Sequence, residues 1–221
     1  MIQSVLFDLD GTLLDTAPDL IGALNHLREG EGMPPVEVDK YRHFVSRGAL
    51  GLISAGMPES SEHVFEKRKS AFLGHYAENI YAQSRPFDGV NELLDELDQR
   101  AVPWGVVTNK MEYLTLPLLT AANLLHRAAC VICGDTLQQS KPHAAPVLLA
   151  CEILGVASTD TVMVGDDIRD LQAGNAAGTQ TALAMYGYLE PGIMDRDLSR
   201  SYLIEKPDDV LEILDTGSDF K

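Results

Sequence analysis

The feature that most constrains the fold is a regular alternation of short apolar runs and amphipathic stretches after residue 86. The apolar runs predict strands, and the stretches between them carry apolar residues at the helical spacing of three and four. The predicted strands are VPWGVVTN, AACVICG, TVMVGD and QTALAMY, and the predicted helices are VNELLDELDQR, EYLTLPLLTAANL, AAPVLLACEILG, DIRDLQAGNAAG and PDDVLEIL. Strands that alternate with helices predict an α/β fold with a doubly wound parallel sheet.

The chain before residue 86 breaks this alternation. One short strand near the N-terminus is followed by three segments with helical patterns, APDLIGALNHL, YRHFVSRGALGLISAG and SSEHVFEKRKSAFLGHYAENIY. No strand is evident between about residues 16 and 85. We therefore expect an α/β core domain made of residues 1–15 and 86–221, with a helical domain of residues 16–85 inserted after the first strand.

Composition limits the possible partners. Asp and Glu number 33 against 17 Lys and Arg, so the formal net charge is -16. Such a charge argues against nucleic acid or an anionic membrane as a partner. An anionic substrate would need a local cation. The first strand begins close to Met1 and no apolar run reaches the roughly 18 residues of a membrane span, so we expect no signal peptide and a cytoplasmic protein.

The three cysteines include a CVIC motif, formed by Cys130 and Cys133. The spacing is that of a zinc site, but the motif lies in a predicted strand, where residues three apart point to opposite faces. No second pair of ligands completes such a site. We expect buried free cysteines in a reducing compartment.

Two aspartates end the first predicted strand, in the segment VLFDLDGTLLD that begins at Val5. Because side chains alternate along a strand, Asp8 and Asp10 project to the same side. An ionised carboxylate beside a buried strand is costly unless it is paired or bound to a metal. Asp10-Gly11 alone could be an ordinary turn, but both aspartates together indicate chemistry.

Polar side chains also follow three later strands. In open α/β sheets, ligands bind beyond the carboxyl ends of the strands. The candidates there are Thr108 and Asn109, then Lys141 before Pro142 at an expected helix start, and then Asp166, Asp167 and Asp170 after Gly165. Asp166 and Asp170 are four residues apart, which predicts that they share a helix face.

This set of residues is suited to phosphoryl transfer. Crowded carboxylates favour a hard cation, and oxygen ligands in small number favour Mg²⁺. Lys141 supplies a positive charge for a phosphate and for a nucleophilic aspartate. Thr108, Asn109 and main-chain N–H groups can bind further phosphate oxygens. Positioning and charge neutralisation supply most of the catalysis in such reactions.

The motifs DxDGT, T, K and GDDxxD, in this order, resemble those of the haloacid dehalogenase-like phosphatases that carry a helical cap after the first strand. DTAPDL, VSRGALGL, WGVVTNK and GDDIRDLQAGNAAGTQT are similar to the phosphoglycolate phosphatases and to their sister branch, the N-acetylmuramic acid 6-phosphate phosphatases. The resemblance covers essentially the whole chain. One departure is Asp167, where many relatives have Ser, and whether it touches a metal or only the metal's waters stays open.

The resemblance implies roles for the acidic residues. Asp8 is the nucleophile that forms an aspartyl phosphate, and Asp10 is the general acid and then the general base. Mg²⁺ is bound by the Asp8 carboxylate, the Asp10 main-chain carbonyl and Asp166, while Asp170 supports these ligands without contacting the metal itself. Thr108 and Lys141 bind the transferring phosphate.

The resemblance further implies that the cap closes over the site and selects the leaving group. The basic candidates in the cap are Arg42, His43 and Arg47, although they could equally form a solvated helix face. Gly48 permits a sharp turn that would aim Arg47 at the core. The expected partner is a small phosphorylated metabolite, and the protein is expected to be a monomer or a homodimer.

Four other functions share some of these features. A haloacid dehalogenase needs no acid two residues after its nucleophile, so Asp10 argues against one. A receiver domain lacks the long helical insertion, and a binding protein without activity would not need every catalytic group. A phosphomutase could use both aspartates. We therefore expect a phosphoglycolate phosphatase first, an N-acetylmuramic acid 6-phosphate phosphatase as the alternative, and a phosphomutase third.

Overall fold

The protein is described by a computed structural model over residues 1–216. The strands are β1 (Ser4–Phe7), β2 (Leu14–Asp15), β3 (Arg85–Pro86), β4 (Trp104–Val107), β5 (Cys130–Ile132), β6 (Thr161–Gly165), β7 (Gln180–Ala184) and β8 (Ser201–Ile204). Six of them form a sheet in the order β5-β4-β1-β6-β7-β8. All of its neighbouring pairs are parallel.

Helices cover both faces of this sheet. They are α5 (Val90–Gln99), α6 (Glu112–Ala121), α7 (Ala145–Leu154), α8 (Ile168–Ala177) and α9 (Asp209–Thr216). Because side chains alternate along β1, Val5 and Phe7 pack in the cluster that includes α5, α6 and α9, whereas Leu6 packs in the cluster that includes α7 and α8. The predicted doubly wound α/β fold is confirmed.

The last strand, β8, was not predicted from the sequence. Within residues 1–216 it is the edge strand beside β7, and Leu203 is half exposed. A short edge strand lacks the continuous apolar run that marks a buried one, so its pattern gives a weak signal.

Residues 16–85, which we call the helical segment, contain α1 (Ala17–Gly30), α2 (Val38–Tyr41), a 3₁₀ helix (Arg42–Arg47), α3 (Gly48–Gly56) and α4 (Glu62–Glu78). Most of the buried side chains of these elements form a cluster of their own, which Leu114 and Tyr188 join from outside the segment. The 3₁₀ helix and α3 both lie in YRHFVSRGALGLISAG, one of the three segments whose pattern predicts helix. The segment thus has its own apolar core beside the sheet.

The two ends of the helical segment are held together. β2 and β3 pair antiparallel, with Asp15 opposite Arg85; these two-residue strands are too short to show a periodic pattern in the sequence. Buried Asp19 on α1 accepts hydrogen bonds from the Gln83 and Ser84 main-chain N–H groups at 2.8 and 2.9 Å. The segment therefore leaves and re-enters the core at one place, beside the carboxyl ends of the strands.

Two further expectations concern the membrane and the cysteines. Across residues 1–216, no helix combines the length and the hydropathy that crossing a bilayer would demand. Cys130, Cys133 and Cys151 are free and buried, as predicted. Burial raises the pKa of the Cys130 thiol to about 11, so this thiol stays protonated near neutral pH.

Candidate active site

A cavity of about 420 Å³ lies between the carboxyl ends of the strands and the helical segment. Its polar side is formed by strand-end residues, and its apolar side is formed mainly by helices α3 and α4. The lining includes Asp8, Asp10, Thr108, Lys110 and Lys141 from the sheet side and Val45, Leu50, Phe72, Leu73 and Tyr76 from the helical segment. A ligand here would meet charged groups at one end and apolar side chains at the other.

Lys141 is the cation at the centre of the polar side. Its Nζ lies 2.9 Å from Asp8 Oδ1 and 2.7 Å from Asp170 Oδ1, and it donates to the Val107 carbonyl at 2.5 Å. Burial alone would lower the pKa of Lys141, but the attraction of Asp170 and Asp8 outweighs it and the pKa is raised. The ammonium therefore stays charged in a buried position.

Three carboxylates converge beside this lysine. Each of Asp8, Asp166 and Asp170 contributes one carboxylate oxygen, and these three oxygens lie within 4.8 Å of one another. Asp166 accepts hydrogen bonds from Thr12 Oγ1 at 3.1 Å and from the Tyr188 N–H at 2.8 Å. Its pKa is raised well above the usual value by burial and by the charges of Asp8 and Asp170. Carboxylates crowded at this spacing fit a hard divalent cation, which would favour their ionised forms.

The sequence prediction that Asp166 and Asp170 share a helix face is wrong. Helix α8 begins at Ile168, so Asp166 precedes it and Asp167 is its N-cap. Asp170 turns back and accepts a hydrogen bond from the Asp167 N–H at 3.0 Å, which brings it beside Asp166. A Cβ on Gly165 would lie 2.2 Å from Asp170 Oδ2, so this close approach needs glycine.

Helix α7 begins at Ala145, within one residue of the start of the predicted helix AAPVLLACEILG and four residues after Lys141. Lys141 lies in the loop before it, and Asn109 holds this loop. The Asn109 amide donates to the Lys141 carbonyl at 2.9 Å and accepts from the Lys141 N–H at 3.0 Å. Its side chain is therefore engaged in placing Lys141, and Asn109 also lines the cavity. Thr108 is buried and lines the cavity.

Asp167 is paired with a residue that sequence reasoning did not consider. The Arg169 Nε and Nη2 atoms donate to Asp167 Oδ1 and Oδ2 at 2.8 and 3.0 Å. Burial would raise the pKa of Asp167, but hydrogen bonding to Arg169 lowers it below its usual range. Arg169 also donates to the Ser46 carbonyl in the helical segment. Asp167 thus supports a contact between core and helical segment and lies outside the three-carboxylate cluster.

Lys110 is a second functional candidate that the sequence analysis missed. Its Nζ lies 2.9 Å from Asp10 Oδ1, which also accepts from Thr16 Oγ1 at 2.6 Å. Burial would lower the pKa of Lys110, but the Asp10 carboxylate raises it overall. The signal was available in the sequence, because Lys110 directly follows the polar strand end VVTN.

The basic candidates in the helical segment differ in position. Arg47 lines the cavity, is half exposed and forms an ion pair with Glu190. Arg42 instead pairs with Asp15 at 2.8 Å, and the His43 ring packs on Phe44. Gly48 has the left-handed φ of +61° that its predicted turn requires. Of these basic side chains, Arg47 is the one placed to meet a ligand in the cavity.

The chain belongs to the haloacid dehalogenase-like hydrolases, whose family profile matches residues 5–184. Among its relatives, an N-acetylmuramic acid 6-phosphate phosphatase from Pseudomonas aeruginosa is 38% identical over 216 residues, which cover 97% of this chain and 95% of that protein. A phosphoglycolate phosphatase from Xylella fastidiosa is 40% identical over 205 residues, covering 93% and 90%. The crystal structure of a predicted phosphoglycolate phosphatase from Haemophilus somnus has a TM-score of 0.84 at 27% identity, covering 96% of this chain and 97% of that chain.

Gly11 provides a test of the carboxylate cluster. It has a φ of +86°, and a Cβ there would lie 2.2 Å from Asp166 Oδ2, whereas Gly32 has a φ of +72° and open space around it. Alanine should cost about 1–3 kcal/mol of backbone strain at either position. We expect Gly11→Ala alone to displace Asp166 and to abolish the rise in melting temperature that a divalent cation produces. Equal cation-induced shifts in Gly11→Ala and Gly32→Ala would contradict the prediction that Asp166 contributes to a cation site.

Proposed function

We propose that the protein is a phosphoric monoester hydrolase that acts on a small phosphorylated metabolite through an aspartyl-phosphate intermediate. The observation that carries this proposal is the placement of Asp8 on the cavity floor, 2.9 Å from a buried ammonium and within a cluster of three carboxylates. A nucleophilic carboxylate needs positive charge near it, because it must approach a phosphate that is itself negative. Membership of the family and the phosphatase names of the relatives agree with this chemistry.

The nucleophilic attack begins at Asp8. A carboxylate oxygen of Asp8 attacks phosphorus, and the leaving oxygen departs on the opposite side. Lys141 and the Thr108 hydroxyl receive the oxygens of the transferring phosphoryl group. Asp10 gives a proton to the leaving oxygen and then accepts one from the water that hydrolyses the aspartyl phosphate.

Mg²⁺ is the metal we propose for the carboxylate cluster. The Asp8 carboxylate, Asp166 and the main-chain carbonyl of Asp10 would hold it, with Asp170 supporting them while paired to Lys141. The bound ion would supply positive charge next to the phosphate. Oxygen ligands in this small number match its preference for an octahedral shell completed by water and phosphate.

We propose that the helical segment, residues 16–85, is a cap domain on a core of residues 1–15 and 86–221. Support comes from its separate apolar cluster and from the single place at which it joins the core. Its contacts across the cavity include polar ones, such as the hydrogen bond from Arg169 to the Ser46 carbonyl and the ion pair of Arg47 with Glu190. Such contacts can be exchanged when a lid opens and closes.

Two substrates follow from the relatives, 2-phosphoglycolate and N-acetylmuramic acid 6-phosphate. The cavity volume favours the larger one: about 420 Å³ falls within the roughly 300–1,000 Å³ of pockets that enclose drug-sized ligands. A two-carbon acid would leave much of the apolar wall of Leu50, Phe72 and Leu73 uncovered. Turnover of both compounds by the purified protein, with phosphate release as the readout, decides between them.

Replacement of Asp8 tests the covalent mechanism. Asp8→Asn keeps the size of the side chain but removes the nucleophile, so kcat should fall by about 10⁴-fold or more. Lys141 keeps its contact with Asp170, so the fold should persist. The exposed Asp39→Asn serves as the control and should keep full activity. A tenth of the wild-type kcat in Asp8→Asn would refute the role of Asp8.

The metal requirement can be measured directly. Exhaustive chelation should remove activity, and added Mg²⁺ should restore it. Ca²⁺ should restore it poorly, because its larger and looser shell misplaces the attacking carboxylate. The proposal fails if metal-free protein, verified by elemental analysis, hydrolyses phosphate esters at the original rate.

Arg47 is proposed to bind the carboxylate that both candidate substrates carry. Loss of one charge-assisted pair should lower kcat/KM for the natural substrate by about 10 to 100-fold in Arg47→Ala. p-Nitrophenyl phosphate has no carboxylate and should be affected little. Glu190→Gln should have the opposite effect, because it frees Arg47 from its ion pair. Equal losses of kcat/KM on the natural substrate and on p-nitrophenyl phosphate would instead assign Arg47 to binding of the phosphate or to cap closure.

A further inference from the structure

The second buried lysine, Lys110, has no role in the mechanism above. Its side chain is only 7% exposed, and its Nζ lies 2.9 Å from Asp10 Oδ1 and 3.2 Å from Asp10 Oδ2. A buried ammonium is costly unless it has a well-placed partner. The carboxylate of Asp10 is that partner, so the two side chains form one unit on the cavity wall.

Both the main chain and the side chain of Lys110 make further contacts. Its main-chain N–H donates to Thr108 Oγ1 at 3.2 Å, and its carbonyl accepts from the Gly134 N–H at 2.8 Å. Its Nζ lies 4.6 Å from the centre of the Tyr76 ring, on α4 of the helical segment. The lysine therefore spans the cavity edge between the end of β4 and the apolar wall.

The carboxylate of Asp10 is oriented by two donors. Thr16 Oγ1 binds Oδ1 at 2.6 Å, and Lys110 contacts both oxygens. A general acid must point at the leaving oxygen within hydrogen-bond reach. We infer that Lys110 is a positioning residue for Asp10, which sets the orientation of this carboxyl group towards the leaving group. This inference rests on the proposed phosphatase function.

The chemistry of the first step makes the role measurable. The P–O bond to the leaving group breaks and its electron pair stays on the leaving oxygen, which takes the proton of the protonated Asp10 carboxyl group and leaves the carboxylate that pairs with Lys110. An alkoxide is strongly basic and needs this proton, whereas p-nitrophenolate is a stable anion and leaves without it. A badly oriented Asp10 should therefore slow alkyl phosphates and spare p-nitrophenyl phosphate.

The parameter to compare is kcat/KM, because it reports the steps up to departure of the leaving group. Hydrolysis of the aspartyl phosphate is common to all substrates and does not enter it. The alkyl ester is whichever of 2-phosphoglycolate and N-acetylmuramic acid 6-phosphate the wild type hydrolyses better. In Lys110→Met, kcat/KM for this ester should fall by about 10²-fold, whereas kcat/KM for p-nitrophenyl phosphate should fall by less than about threefold. Lys67→Met removes the same charge from an exposed site on α4 and should change neither value.

A double-mutant cycle identifies the group through which Lys110 acts. Asp10→Asn should show the same selective loss on the alkyl ester. Adding Lys110→Met to Asp10→Asn should then lower kcat/KM by less than about threefold, because residues that act as one unit are not additive. Full additivity would overturn the inference.

Other outcomes also overturn it. Equal losses on both esters would assign Lys110 to the phosphate or to folding, and unchanged values would make it a structural charge. Weaker binding of the alkyl ester to Asp8→Asn/Lys110→Met than to Asp8→Asn, by the same factor as the loss in kcat/KM, would make it a substrate ligand. Turnover of p-nitrophenyl phosphate reports that each variant is folded, and Lys110→Gln, which keeps a donor, replaces Lys110→Met if the latter does not fold. Asp8→Asn tests the phosphatase function separately, so a failure there is distinguishable from a failure of the Lys110 inference.

Discussion

The active site depends on one buried ion pair network, in which the ammonium of Lys141 lies between Asp8 and Asp170. Carboxylates at buried strand ends repel each other and lose their hydration, so they need compensating charge. With Asp166 included, the cluster holds three carboxylates and one ammonium. When all are ionised, two negative charges remain in excess, which is the charge that one divalent cation balances. The arrangement thus favours a metal by its charge as well as by its oxygen ligands.

The other carboxylates around the cavity are paired one to one. Asp10 pairs with Lys110, and Asp167 pairs with Arg169. Excess negative charge is therefore confined to the place proposed for the metal, while the rest of the cavity edge is nearly neutral. This distribution explains how a chain with a net charge of -16 can present a site for an anionic phosphate ester.

Much of this could be predicted from the sequence, because strand and helix patterns are local. The sheet, its helices and the convergence of Asp8, Thr108, Lys141 and Asp166 at strand ends follow from those patterns. What escaped prediction depends on tertiary contacts. The Asp10–Lys110 pair joins residues 100 positions apart, and the pairing of Arg47 with Glu190 joins residues 143 positions apart. The helix-face prediction for Asp166 and Asp170 was wrong because helix α8 starts two residues after Asp166.

We propose that Asp8 carries the phosphoryl group during turnover. Rapid acid quench of the enzyme with substrate, followed by mass spectrometry of the peptide that contains Asp8, tests it directly. One phosphoryl group is expected on Asp8, at a level that rises and decays with turnover and is absent in Asp8→Asn. Hydrolysis at the normal rate without any phosphorylated peptide, or with the group on another residue, would contradict it.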